Sequence, residues 1–301
     1  MSEPVRRSRE IEDFSKRYVI APLIDFVVPI LVKLKISPNM VSIIGMLCGV
    51  SAAIILSHYN DSWHYSLMGL GMLIVWHVFD GADGRVARIT NTQSEFGKIV
   101  DGICDYIVFI AVYIVLGMAV TMVYGPWAWL LVLAAGMMHA VQAGAYELQR
   151  QEFEFWGRGK KSAELPDLEN VPPLPEGSSL WARLATGLGI GYAKMQYSFS
   201  GIDGEIRPSL YAHVDTLSGE EPVQSFRDTY RKLCAAQVLK WAIMCPHYRS
   251  YIIVFACLMK APEIYFIAEA LVLPLFHIYL VKNQNGFNAT LLARIKAEGE
   301  Q

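Results

Sequence analysis

Four aspartates, Asp80, Asp83, Asp101 and Asp105, fall within 26 residues beside apolar runs long enough to enter a membrane. An ionisable group in such a setting is costly and marks a functional site by default. On helices, the three-residue spacing of Asp80 and Asp83 and the four-residue spacing of Asp101 and Asp105 stack each pair on one face. Four carboxylates so placed repel and would take up protons unless a cation neutralises them. An all-oxygen donor set suits a hard divalent ion, Mg2+, Mn2+ or Ca2+, better than zinc. Gly84 directly follows Asp83, and Gly97 stands four residues before Asp101 on the face of Asp101 and Asp105, so a bulky ligand can approach the backbone there. Arg88, next to the small Ala87, supplies a guanidinium suited to a phosphate that the metal also touches. The expected ligand is a phosphate ester.

The full spacing is Asp80-x2-Asp83-Gly84-x2-Ala87-Arg88-x8-Gly97-x3-Asp101-x3-Asp105. At roughly one-in-twenty usage per residue type, eight fixed matches arise by chance on the order of once in ten thousand million starting positions. This string resembles the signature of the CDP-alcohol phosphotransferases, integral membrane enzymes of phospholipid synthesis, and all eight positions match. Ser37-Pro38-Asn39 ahead of the first span is also similar to that family. The resemblance implies Asp80, Asp83, Asp101 and Asp105 as ligands of Mg2+ or Mn2+, with Asp105 also the catalytic base. It implies Gly84, Ala87, Arg88 and Gly97 as contacts of the cytidine diphosphate, and Asn39 as a cytidine contact. A substituted phosphate would pass from a CDP-alcohol to a second hydroxyl, with CMP leaving. CDP-diacylglycerol with a small polar acceptor is the expected pair, and a soluble CDP-alcohol with a lipid acceptor is the alternative. The partners are thus donor, acceptor and membrane lipid, with a homodimer implied and no nucleic acid.

The elements that must position these residues are apolar helices. Of the 301 residues, 53% are hydrophobic, gathered in runs near 40–57, 67–79, 99–123, 127–147, 250–260 and 262–281. The fold expected is an all-α membrane bundle of about six spans, the fifth short unless it borrows from 234–245. Residues 1–36 read as a cytoplasmic, interfacial amphipathic segment bent at proline. Residues 37–150 hold spans one to four, 151–233 a cytoplasmic insertion, 234–282 spans five and six, and 283–301 a cytoplasmic tail. Net charge is only −2, but its placement informs: Lys and Arg precede span one and lie between spans two and three and spans four and five. The 58–66 and 124–126 connections carry none, so the aspartates open at the cytoplasmic edge, with the inner (plasma) membrane expected. The polar, charged first 17 residues or so give no cleavable signal peptide.

Span four carries His139, Gln142, Tyr146 and Arg150 in one polar stripe. It either lines the acceptor pocket or forms an interhelical hydrogen-bond seam, the commoner use of such a stripe. Glu147 lies off it and is expected in solvent. Arg249 at the start of span five either binds an acceptor phosphate or headgroup, or snorkels. In the insertion, Pro166, Pro172, Pro173, Pro175 and Gly177 read as a turn-rich linker, 179–192 as a short helix and 201–204 as a tight turn. Arg227, Arg231 and Lys232 read as a solvated, headgroup-facing side. Five scattered cysteines argue against a disulfide framework. An intramembrane prenyltransferase needs a second aspartate-rich motif, and spans four to six contain no Asp. An ion-coupled transporter would show a related second half, and none is visible.

Overall fold

A computed structural model describes residues 8–159, 163, 165, 179–202 and 204–299. The proline-rich stretch expected to form a linker and Asp203 lie outside them. The described residues are helical and include no strand: α1 (Ala21–Lys33), α2 (Pro38–Leu56), α3 (Trp63–Thr90), α4 (Glu95–Tyr124), α5 (Ala128–Arg158), α6 (Leu180–Ser200), α7 (Ile206–Thr216), α8 (Glu220–Trp241), α9 (Pro246–Leu258), α10 (Glu263–Ile267) and α11 (Leu273–Gly299). A single π turn, Ala268–Val272, joins the last two. The helix over the expected 179–192 segment is α6, and it continues to Ser200.

The helix ends that shape the site are set by local chemistry. Ser37 accepts the Met40 N–H and Pro38 occupies the first turn of α2, where a missing N–H costs nothing. Asn91, at φ 54°, ends α3 in the left-handed region that asparagine tolerates. Three residues later the Ser94 hydroxyl accepts the Gly97 N–H and starts α4. The chain therefore reverses within a few residues. Asp80 lies ten residues before the end of α3 and Asp105 ten after the start of α4. At 1.5 Å per residue both stand about 15 Å along their helices from this turn.

Two compact units divide the chain. The first is Met1–Met137 with Cys245–Val272. In it α2 packs on both α3 and α4, and two glycines one turn apart allow the approach. A Cβ at Gly45 would come within 2.9 Å of Phe79 Cβ on α3, and one at Gly49 within 2.5 Å of Val108 on α4. Ala52, Leu56, Leu73, Trp76, Val112, Leu116, Val254 and Phe266 continue this core. Ile20, Ile24, Val28 and Leu31 set the segment through α1 against Val41, Val78, Ala82 and Val86. The opposite side of that segment exposes Phe14, Tyr18, Leu23 and Phe26, as suits a helix lying at a membrane interface.

The second unit is Met138–Met244 with Leu273–Gln301, so α5 contributes to both. Buried amides hold it together. Gln149 donates to the Ser200 carbonyl (2.8 Å), Asn288 to the Gly201 carbonyl (2.8 Å), and Gln237 and Trp241 both donate to Gln284. Arg207 pairs with the buried Glu152 and lies over the Tyr197 ring, 4.2 Å from its centroid. Gly201, at φ 69°, makes the expected turn after α6.

Five helical stretches are long and apolar enough to cross a bilayer: Pro38–Leu56, Trp63–Thr90, Phe96–Tyr124, Ala128–Arg158 and Glu263–Arg294. The expected fifth of six spans is α9, whose 13 residues reach about 20 Å against a hydrocarbon core of ~30 Å. It borrows nothing from α8, because Cys245 is extended and Pro246 starts a new helix.

Candidate active site

Carboxylate oxygens of Asp80, Asp101 and Asp105 lie within 4.8 Å of one another, and all three residues are half-buried. Helix α3 supplies the first and α4 the other two. Oxygen donors from two helices, converging and partly open to solvent, fit a hard divalent cation that must also admit phosphate oxygens. The Trp76 indole N–H donates to Asp105 Oδ1 (3.2 Å), which fixes that carboxylate while leaving its other oxygen to the site.

Asp83, expected as a fourth ligand, is 5% exposed and stands outside this group of three. Its Oδ2 accepts the Ser42 hydroxyl and its Oδ1 the Gly84 backbone N–H. Ser42 in turn lies within reach of the Pro38 carbonyl (3.2 Å), so Asp83 ties α3 to the first turn of α2. A Cβ at Gly84 would meet Arg88 Nη1 at 3.5 Å, so the backbone of Gly84 lies bare beside that guanidinium. Ala87 is buried. A Cβ at Gly97 would come within 3.4 Å of Asn39 Oδ1 and 3.2 Å of Ser94 Oγ, so the expected cytidine contact Asn39 and Gly97 are neighbours. Arg85, one residue from Gly84, is held by Asp25 of α1 at 2.6 Å.

Of the other expected site residues, Arg249 belongs to the first unit and His139, Gln142, Tyr146 and Arg150 to the second. Arg249 is fully buried, with its Nε 3.0 Å from Glu269 Oε2, so it neither snorkels nor faces a headgroup. Its carboxylate partner is 20 residues away, beyond the break after α9, and both charges are satisfied inside the first unit. His139, Gln142 and Tyr146 are buried along α5 in the second unit. Glu147, expected in solvent, is the bidentate partner of Arg150, which explains a charged residue beside the stripe. Arg231, expected in solvent, reaches the Gly157 carbonyl (3.0 Å) and Asp228 (2.7 Å).

Sequence reasoning missed Trp76 and Ser42. Trp76 had a signal, being one turn before Asp80 on the same helical face. Ser42 had none, since 41 residues separate it from Asp83.

A multi-span helical bundle in which three carboxylates converge from two helices defines a class, a membrane protein with an acidic cluster that could hold a metal ion. Comparison with known proteins names the family. Residues 35–163 match the family model of the CDP-alcohol phosphatidyltransferases, so this part of the chain is similar to that family. It is an integral membrane protein. Among curated relatives, a putative cardiolipin synthase of Mycobacterium bovis is 31% identical over 123 residues, covering 40% of this chain and 51% of the relative. Cholinephosphotransferase 1 of Danio rerio is 34% identical over 86 residues, 26% of this chain and 22% of the relative. A CDP-diacylglycerol–serine O-phosphatidyltransferase of Helicobacter pylori is 41% identical over 51 residues, 17% of this chain and 21% of the relative. The chain thus spans about half the length of the mycobacterial relative and about a fifth of the other two. No solved structure matches it significantly.

Proposed function

We propose that this protein moves a substituted phosphate from a CDP-alcohol to the hydroxyl of a second alcohol and releases CMP. The observation that carries this reading is the convergence of Asp80, Asp101 and Asp105 beside Gly84, Arg88 and Gly97 within the matched domain.

Asp80, Asp101 and Asp105 would hold Mg2+ or Mn2+, with Asp83 buttressed by Ser42 at the same level of α3. When bound, the metal neutralises the diphosphate and the charge that grows on the leaving oxygen. The Arg88 guanidinium binds diphosphate oxygens, and the bare backbone at Gly84 lets them come close. Asn39 and Gly97 flank the position for cytidine. The acceptor oxygen forms a bond to the phosphorus that bears the donor alcohol, the bond from that phosphorus to the CMP oxygen breaks, and the hydroxyl proton passes to Asp105. Trp76 holds Asp105 in place for this. Orientation of donor, acceptor and base supplies much of the rate.

The charge pattern supports one orientation in the membrane. Arg85, Arg88 and Lys98 flank the α3–α4 turn, whereas the 57–62 and 125–127 connections have no Lys or Arg and expose Trp63, Tyr124 and Trp127 close by. Basic residues favour the cytoplasm and aromatic belts an interface, which supports a site facing the cytoplasm, with the inner membrane part of the same proposal.

CDP-diacylglycerol is the leading donor, supported by the name of the Helicobacter relative. A soluble CDP-alcohol with a lipid acceptor is the second reading, favoured by the cholinephosphotransferase matches. A homodimer belongs to the same proposal. The test is CMP release by purified protein with Mg2+ or Mn2+, offering CDP-diacylglycerol, CDP-choline, CDP-ethanolamine or CDP-inositol with pooled acceptors. Metal-dependent release with one donor supports the reading and selects between its two forms. No release with any of them counts against it.

A further inference from the structure

Outside the aspartate site, one more group of metal-binding side chains converges among the described residues: Asp13, Cys245 and His247. All three are buried, at 5%, 1% and 7% exposure. Asp13 comes from the segment before α1, while Cys245 and His247 straddle the proline that starts α9. All belong to the first unit.

The contacts are unlike those of a proton relay. A relay places thiol and carboxylate on opposite ring nitrogens, so that the imidazole passes a proton between them. Here Cys245 Sγ (3.1 Å) and Asp13 Oδ2 (2.9 Å) both approach His247 Nε2. That nitrogen has one proton or one lone pair, so it cannot serve both neighbours fully. Three donor atoms crowding one point are the arrangement expected around a shared cation.

We propose that Asp13, Cys245 and His247 bind a zinc ion that staples the N-terminal segment to the start of α9. Thiolate, imidazole and carboxylate form a zinc donor set and are poorly suited to Mg2+. Zinc bonds of about 2.0–2.3 Å put ligand atoms about 3.3–3.6 Å apart, so the two approaches to Nε2 need to lengthen only by about half an ångström. The surroundings suit the ligands. The Lys16 backbone N–H donates to Asp13 Oδ1 (3.1 Å), leaving Oδ2 for the ion. His77 of α3 packs edge-on against His247 and bonds Ser250 of α9 (2.8 Å), so the staple would brace α9 against the helix that carries Asp80. Three protein ligands leave a fourth position for water.

The test is metal analysis of the full-length protein, purified in detergent, incubated with zinc, then desalted into buffer containing Mg2+. The wild type is expected to retain about one zinc per chain. Cys245→Ser and His247→Gln should each lose it, whereas Asp101→Asn, altered in the other cluster, should keep it. If the first two variants do not fold, the wild type loaded with Co2+ should still show thiolate-to-cobalt absorption. Wild type without retained zinc, zinc lost from Asp101→Asn but kept in Cys245→Ser, or no thiolate-to-cobalt band would each overturn the proposal. The readout does not use turnover, so it stands or falls separately from the transferase reading.

Discussion

The first unit holds two three-residue clusters, each with donor atoms within 4.8 Å of one another, and they differ in almost everything else. Asp80, Asp101 and Asp105 are half-buried, all oxygen, and reached from one short turn between two long helices. Asp13, Cys245 and His247 are buried, mixed in donor type, and drawn from segments more than 230 residues apart. A site that must exchange phosphates needs hard ligands and access. A site that joins distant segments needs slow exchange and enclosure, which softer ligands and burial supply. Access and donor chemistry, more than the count of ligands, separate a working centre from a fastening.

Substitutions should divide along that line. Asp105→Asn should cut turnover by roughly 10²–10⁴-fold while the fold and CDP binding survive, seen as CMP release beside a nucleotide-binding isotherm. Full activity would remove Asp105 from the chemistry. Asp80→Ala should lose Mg2+-dependent CDP affinity as well, and unchanged affinity would end its ligand role. At the closed cluster the effect should fall on stability: a zinc-selective chelator should lower it by about 2.7 kcal/mol or more if zinc is held at 100 times its Kd, read by thermal unfolding in detergent. Gly49→Ala tests the packing of α2 on α4. Its added methyl meets Val108 and should cost about 1–3 kcal/mol, and wild-type stability would show that α2 and α4 have room to part. Trp76→Phe removes one hydrogen bond to Asp105 and should slow turnover by about tenfold with little change in donor affinity. An equal rise in KM would instead place Trp76 in donor binding.

The open cluster was legible in the sequence because its residues lie within one helix–turn–helix, where spacing fixes the face. The caps at Ser37 and the turn around Asn91 follow the same local logic. The closed cluster was not legible, because nothing in the spacing of Cys245 and His247 points to Asp13, more than 230 residues away. Arg249 was misread for the same reason, because its partner Glu269 lies past a helix break. Residue types predicted six spans, whereas the break at Cys245 and Pro246 leaves α9 with 13 residues. The pairing of Glu147 with Arg150 is local, at three residues, and a stricter reading of helical spacing would have found it.

The most direct test of the central claim is CDP binding to the purified protein in Mg2+ and again after removal of divalent ions with EDTA. A carboxylate cluster that holds nucleotide through metal should bind CDP in Mg2+ and lose it in EDTA. CDP bound equally well without divalent ions, or not at all with them, would contradict the account.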